Sequence, residues 1–245
     1  MNKKIVFYLV CIAVASSVSI VDLKQTSPTI KFFPIQENAT FLYANTDLKV
    51  KDTSLEWESR SKSDQTYYLR QDVSLLYFNG KLKGLRSKWE QKTDFINITE
   101  KLPITDQGVW ESITFHHGEI HDGEDKKITS IQTMSNNKLY TIQMEESNIY
   151  TFQIPETMEE LLIQQIIDRK STQYLSNSWD KWIEHYQIDE AKYTRIPIVE
   201  LVKFKDQALP SFSQDQTNKI IGQLWEGLYK NYVIPILDTQ GSSNN

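Results

Sequence analysis

The sequence lacks most of the features that mark an enzyme. Its single cysteine is Cys11, so the chain beyond the first twenty residues has neither a thiol nucleophile nor a disulfide framework. Glycine is scarce, with eight residues in 245. No phosphate-binding loop, dinucleotide-binding glycine pattern, His-Glu-x-x-His or Gly-x-Ser-x-Gly sequence occurs. No reaction is therefore indicated by a motif.

A strong charge of one sign is also missing. When Lys3 and Lys4 are set aside with the N-terminal segment, 25 basic residues face 32 acidic ones. A mildly acidic chain without a basic patch is a poor ligand for nucleic acid or for an anionic membrane surface. We therefore expect no nucleic-acid partner, and membrane association only through the N-terminal segment.

The chain has one long apolar run, which lies at its N-terminus. Lys3 and Lys4 precede an uncharged stretch over 5–21, and small residues at Ala13, Ala15, Ser17 and Ser19 follow its most apolar part. This arrangement is typical of an export signal, although 17 uncharged residues also reach the lower length limit of a membrane-spanning helix. The segment 1–21 is predicted to be a cleaved signal peptide or an uncleaved anchor. The lack of cysteine beyond it suits a bacterial envelope, so an extracytoplasmic protein, secreted or anchored, is expected.

The sequence predicts four regions along the chain. An irregular tether over 22–50 follows the signal or anchor 1–21, and one α+β domain spans 51–238 before a flexible tail at 239–245. Within the domain, alternating apolar and polar residues over 54–154 predict an antiparallel β-meander of about six to seven strands. The segment 155–236 predicts about three amphipathic helices that cover the sheet.

The first hairpin of this sheet has a predicted register. Asn79-Gly80 marks its turn, and a three-residue loop that includes Phe78 sets Leu69 opposite Trp89 in the core. Arg70, Asp72 and Ser74 alternate with the apolar residues and are assigned to the wet face.

The helical part carries two N-terminal capping boxes. Thr157 with Glu160 predicts a helix start, and a second helix is expected over 171–186. Ser213 with Gln216 predicts the start of the last helix. Between them, 196–204 is β-leaning and contains Pro197, which favours an edge strand.

Two groups of residues are candidates for a site. His117, Glu119 and His121, in the cluster His116–His121, alternate onto one face of a strand and could hold a divalent metal, although a polar turn explains the same residues. Trp179, Trp182 and Tyr186 share a helical stripe that lines a ligand groove or belongs to the core. No cofactor is expected.

Three functions stay open at this point. The first is an exported, non-enzymatic bacterial envelope protein that binds a protein partner or an envelope component. The second is a carrier that holds a lipid or another amphiphile in a cleft between sheet and helices. The third is a metal-dependent hydrolase that uses the histidine cluster.

Overall fold

The computed structural model describes residues 33–36, 38–121, 127–145, 148–192 and 195–228. All of them belong to one compact unit that begins at Lys31. The predicted signal or anchor at 1–21 and the predicted tail at 239–245 lie outside the described residues. Among the described helices, none is long and apolar enough to cross a membrane.

The described chain forms an antiparallel sheet followed by helices, which confirms the α+β order. The elements are β1 (Phe41–Lys51), β2 (Ser54–Phe78), β3 (Lys81–Pro103), β4 (Gly108–His121), β5 (Ile128–Glu145), β6 (Asn148–Phe152), α1 (Met158–Tyr186), a 3₁₀ helix (Ile198–Phe204) and α2 (Gln214–Leu228). The tether prediction was wrong for 41–50, because these residues pair with β2 as strand β1.

The strand order differs from the predicted meander. β4 pairs with β2 rather than with β3, and the order continues through β5 to β6. β3 instead follows β2 along its length, while β1 and β4 share the other edge of β2. The pairing of β2 with β3 shifts between Lys62 and Tyr67, where β2 bends. The sheet therefore curls, and the first half of β2 lies over the second half.

The turn and the register of the first hairpin differ from the predicted ones. Its turn has two residues, Asn79 and Gly80, both in the left-handed region with φ of 50° and 78°. A register shift between Leu76 and Tyr77 then moves the pairing by one residue. Leu69 faces Gln91, and Trp89 faces Gln71 and is 50% exposed. The prediction of Leu69 opposite a buried Trp89 was wrong, because the two-residue turn and the bulge each move the register by one residue from the predicted pairing.

Several predicted turns and helix ends are absent from the described structure. Asn136 and Asn137, two neighbouring residues of a type that favours turns, pair with β4 inside the continuous strand β5. The two helices expected around Ser171 are one helix, α1. The segment expected as an edge strand is the 3₁₀ helix, which begins directly after Pro197. Proline sets the helical φ but donates no hydrogen bond, so it is compatible with the first turn of a helix.

Both capping boxes are present. The side chain of Thr157 accepts from the backbone N–H of Glu160, whose carboxylate accepts from the N–H of Thr157 at 3.0 Å. Ser213 and Gln216 make the corresponding pair at 3.2 and 2.8 Å. These bonds satisfy backbone donors that no helical carbonyl can reach, so the sequence specified these helix starts locally.

Two apolar clusters lie on opposite faces of the sheet. On the outer face, residues of β2, β4 and β5 pack against the 3₁₀ helix and α2; they are Val73, Leu75, Ile113, Phe115, Met134, Leu201, Ile221 and Trp225. Inside the curl, a second cluster is made by Leu48, Leu55, Trp57, Leu76, Phe78, Trp110 and Leu139. The polar residues described next continue the interior from this second cluster.

Candidate functional site

The strongest concentration of reactive side chains is buried inside the curled sheet. Because β2 bends over itself, its two halves meet through side chains. Ser61 Oγ donates to Asp72 Oδ2 at 2.6 Å, and Trp57 Nε1 donates to Ser74 Oγ at 3.1 Å. Asp72 and Ser74, assigned to the wet face by their alternation, are fully buried. The sequence placed them correctly on one face and mistook the environment of that face.

Arg70, the third residue of that face, is also fully buried. Its guanidinium donates to Ser61 Oγ at 2.6 Å, to Ser63 Oγ at 2.8 Å and to the carbonyl of Asp94 at 2.8 Å. A distance of 3.8 Å separates its Nη2 from Asp72 Oδ1. Burial lowers the pKa of Arg70, and the Asp72 carboxylate opposes this effect. The pair is therefore a buried charge pair with further hydrogen bonds, the arrangement that a buried ion needs.

Gly118 makes room for this arginine. A Cβ at Gly118 would lie 3.1 Å from Cδ of Arg70 and 3.1 Å from a ring carbon of Tyr67. Gly118 pairs directly with Arg70 across β4 and β2. The small residue thus allows the long side chain to lie across the neighbouring strand.

Asp72 also begins a chain of three groups. Its Oδ2 lies 2.7 Å from Nδ1 of His116, and Nε2 of His116 lies 2.8 Å from Oγ of Ser135. The carboxylate can only accept, so Nδ1 carries the proton, and Nε2 of a neutral imidazole accepts from the serine hydroxyl. Ser135 and Thr46 share a further hydrogen bond of 2.7 Å. From there the chain continues to Thr114 and Ser74, at 2.7 Å for each step.

The order Asp72, His116, Ser135 has the connectivity of a serine hydrolase triad. The serine of such a triad must be accessible to a substrate carbonyl, and hydrogen-bond donors must be positioned to stabilise the oxyanion. Ser135 is instead buried, and its hydroxyl is held between His116 and Thr46. Together with Thr46, the three groups thus link β1, β2, β4 and β5 through hydrogen bonds. In this arrangement they stabilise the curled sheet rather than present a nucleophile.

The predicted metal ligands lie in two different environments. His117 is buried on the outer face, where its ring stacks on Trp225 with centroids 3.9 Å apart. Burial lowers the pKa of His117 to about 3, and the charge of Arg70 adds to this effect. His121 Nε2 lies 3.2 Å from Glu119 Oε2, and its ring stacks on Tyr68 at 3.7 Å. Within the described ranges, no group of three His, Cys, Asp or Glu side chains could hold a metal ion.

The predicted aromatic stripe lies on the surface of α1. Trp182 is 57% exposed and Tyr186 is 69% exposed, whereas Trp179 is half-buried. Trp179 meets Trp182 edge to face with centroids 6.2 Å apart, and the guanidinium of Arg195 lies 5.3 Å from the Trp179 ring centroid. Leu175, one turn earlier, is also exposed. We call Leu175, Trp179, Trp182 and Tyr186 the aromatic face of α1.

A cleft of about 180 Å³ lies between the first half of α1 and the sheet. It is lined by Asn79, Gln107, Gly108, Ile142, Ile163, Ile166, Ile167 and Lys170. Pockets for drug-sized ligands usually measure about 300–1,000 Å³. The cleft is not lined by Asp72, His116, Ser135 or the other residues of their hydrogen-bond network.

One pattern in the sequence could have indicated the buried hydrogen-bond network. Ser59, Ser61 and Ser63 alternate along the first half of β2, and all three are buried. Small hydroxyls repeated at a period of two suit a polar surface that another layer covers, because they leave room for a larger polar side chain. Pairing this run with Arg70 and Asp72 required knowledge of the bend in β2.

Neither a protein-family model nor a curated protein matches the sequence. The solution structure of AT1g01470 from Arabidopsis thaliana is 11% identical and covers 48% of this chain and 91% of its own, with a TM-score of 0.30. The CARDB domain of the PF1109 protein from Pyrococcus furiosus, solved in complex with di-metal ions, is 11% identical over 44% and 96%, with a TM-score of 0.25. The N-terminal domain of PorA is 8% identical over 43% and 95%, with a TM-score of 0.21. Similarities of this size carry no argument about function.

Proposed function

We propose that the chain is an exported, non-enzymatic bacterial envelope protein that binds a protein partner through the aromatic face of α1. The observation that carries this proposal is the exposure of Trp182 and Tyr186 beside Trp179 and Arg195. Tryptophan, tyrosine and arginine are enriched in the residues that dominate the energetics of protein interfaces. Exposed aromatic groups that share one helix face are more costly to leave in water than scattered ones.

The extracytoplasmic location rests on the N-terminal segment. Two lysines followed by an uncharged run over 5–21 support export, with the body of the protein secreted or anchored by that run. The mild negative charge of the remainder is compatible with an exported binding protein and unfavourable for nucleic acid.

A non-enzymatic role is supported by the closed polar interior. Asp72, His116 and Ser135 are the described groups with the connectivity of a catalytic set, and the hydroxyl of Ser135 is engaged by His116 and Thr46 inside the sheet. Oδ1 of Asp72 is buried without a hydrogen-bond partner among the described residues and lies 3.8 Å from Nη2 of Arg70. We also propose that the C-terminal helices are amphipathic and cover the sheet, which the packing of Ile221 on the outer cluster supports.

The two alternatives have less support. An amphiphile carrier needs a deep apolar cavity, and the cleft beside α1 is about 180 Å³ with Lys170 in its lining. A metal-dependent hydrolase needs converging ligands, whereas His117 faces Trp225 and His121 faces Glu119 and Tyr68.

Site-specific photo-cross-linking tests the proposed binding face. A photo-reactive phenylalanine derivative replaces Tyr186 on the aromatic face or Glu184, an exposed residue on the opposite side of the same helical turn. Each full-length variant is irradiated in native host cells. We expect one discrete adduct with an envelope protein from position 186 and none from position 184. Equal adducts at both positions, or no adduct at position 186, would contradict the proposal.

A further inference from the structure

The outer face of the sheet extends beyond the part on which the helices pack. The 3₁₀ helix and α2 pack on residues of β2, β4 and β5. β3 continues the same face at the edge of the sheet, because Leu85 pairs with Leu75 of the outer cluster and Leu82 pairs with Tyr77, which packs on that cluster. The outer side of β3 is therefore an apolar surface next to the helices.

A row of paired residues crosses the outer face from β5 to β3. Gln132 of β5 pairs with His117 of β4, and His117 pairs with Gln71 of β2. Gln71 pairs in turn with Trp89 of β3. Directly paired residues share a face of the sheet, so Trp89 lies on the outer face, two strands away from His117.

The helix α2 follows this row towards β3. Near its start, the carbonyl of Asn218 accepts from Nε2 of Gln132 on β5 at 2.7 Å. Near its end, Trp225 stacks on His117 of β4. Leu228, the last residue of α2, packs on the outer cluster. The axis of α2 thus advances from β5 to β4, and the chain leaves the helix on the side of β2 and β3.

The outer side of β3 is accessible where α2 points. Leu82 and Trp89 are each about half exposed, while Leu85 and Ser87 between them are half-buried. We call these four residues the β3 strip. Apolar side chains that adjoin one another at a surface are more often covered than left in water.

The sequence after α2 contains an apolar segment of matching character. Positions 232–237 hold only tyrosine, valine, isoleucine, proline and leucine, whereas 238–245 has no apolar side chain. Three residues, 229–231, connect this segment to Leu228. The four steps from Leu228 to position 232 can span about 13 Å, which exceeds the distance of about 10 Å across two strand spacings. The segment is therefore long enough to reach β3 from the end of α2.

We propose that the segment 232–237 packs on the β3 strip of its own chain. Its apolar residues lie on Leu82 and Leu85, and Trp89 borders the contact with part of its ring in water. A short tether gives the segment an effective concentration in the millimolar range at this surface, which a separate partner must exceed to compete. The proposal does not depend on the aromatic face of α1 or on the partner proposed for it.

Single thiols on the two faces of β3 test this contact in the full-length chain. Cys11→Ala removes the native thiol, and Ser87→Cys then places a small probe in the middle of the β3 strip. The matched control is Lys88→Cys, because successive strand residues point to opposite faces and Lys88 is exposed. The measurement is the rate at which each thiol of the folded protein reacts with a maleimide.

Two pairs of tail substitutions are compared in both probe backgrounds. Ile234→Asp with Ile236→Asp should detach the segment and raise the labelling rate at position 87 about tenfold, because the covered thiol then becomes accessible. The rate at position 88 should stay within about twofold. Thr239→Asp with Ser242→Asp adds the same charge in the polar end of the chain and should change neither rate.

A disulfide test locates the segment and identifies the chain that supplies it. Ser87→Cys is combined with a cysteine at position 232, 234 or 236, and each protein is oxidised at several concentrations. At least one pair should form a disulfide within a monomer, with a yield that does not depend on protein concentration. Lys88→Cys with the same partners should form none. The proposal is overturned if the aspartate pair leaves the rate at position 87 unchanged or accelerates both probes equally, or if the disulfides form only between two chains or not at all.

Discussion

His116 and Asp72 lie directly opposite each other on β4 and β2, and Nδ1 of His116 is 2.7 Å from Oδ2 of Asp72. Both side chains are fully buried. Neighbouring pairs on the same two strands alternate, so Gln71 and His117 face the helices instead. The adjacent histidines of β4 therefore lie in different environments. His116 lies in the hydrogen-bonded interior, and His117 lies in an aromatic stack.

Removal of the Asp72 carboxylate should destabilise the fold strongly. Asp72→Ala leaves the buried Arg70 without its nearby carboxylate and His116 without its acceptor. Breaking one member of a buried charge pair typically costs about 3–5 kcal/mol. Denaturant melts should show this loss, while Asp106→Ala in an exposed loop should change the free energy of unfolding by less than about 0.5 kcal/mol. Comparable losses of unfolding free energy at the two positions would contradict the buried hydrogen-bond network around Asp72.

Two tryptophans provide a matched test of the curl. Trp57 is 1% exposed and donates to Ser74, whereas Trp89 lies on β3, which has β2 as its partner strand. Trp57→Ala should lower the free energy of unfolding by about 3–5 kcal/mol through lost burial and the remaining cavity. Trp89→Ala should cost less than about 1 kcal/mol, because half of its surface is already in water. The reverse ranking in urea titrations would show that the first half of β2 does not cover the second.

Acid should destabilise the protein through His117. Burial lowers its folded pKa to about 3 from an ordinary value of 6.5. The unfolded chain therefore takes up a proton below about pH 6.5 that the folded chain resists until about pH 3, so stability is lost as the pH falls through this window. Each unit of pKa difference corresponds to about 1.4 kcal/mol.

The matched variant is His117→Phe, which keeps a ring against Trp225. Unfolding free energies measured from pH 7.5 to pH 4 should fall less steeply in this variant than in the wild type. His185→Gln, at an exposed position, should retain the wild-type slope. Identical slopes for all three proteins would show that His117 is not buried as a neutral ring.

Ser135 should be unreactive despite its triad-like neighbours. Its hydroxyl is buried and bonded to His116 and to Thr46. A fluorophosphonate probe, which labels activated serines, should therefore leave the folded protein unlabelled after hours of exposure. Stoichiometric labelling that disappears in Ser135→Ala would establish a nucleophile and revive an enzymatic function.

The sequence specified local features well and long-range ones poorly. The capping boxes at Thr157 and Ser213 and the turn at Asn79-Gly80 depend on residues close in the chain, and all three are present. The face of Arg70 and Asp72 was predicted to be wet because charged residues are rarely buried without partners. Their partners, Ser61 and His116, come from distant parts of the chain, so alternation alone could not identify them.

Prediction of the candidate site residues was limited in the same way, because their surroundings depend on long-range packing. Periodicity correctly grouped Trp179, Trp182 and Tyr186 on one side of a helix, but it could not decide between core and surface. That decision depends on whether another element packs there, and the second half of α1 has no buried residue beyond Ser171. The alternation of His117, Glu119 and His121 was likewise real, while the stacking of His117 on Trp225 depends on a helix about a hundred residues later.

Photo-cross-linking from position 186 in three backgrounds tests most directly whether the protein works through its aromatic face and not through its buried serine. The backgrounds are the otherwise wild-type chain, Trp182→Ala and Ser135→Ala, each expressed at full length in native host cells. Trp182 borders position 186 on the exposed side of α1, and Ser135 lies in the interior of the sheet. We expect the adduct to be lost in Trp182→Ala and retained in Ser135→Ala at matched protein levels. An adduct that survives Trp182→Ala and disappears in Ser135→Ala would contradict this account.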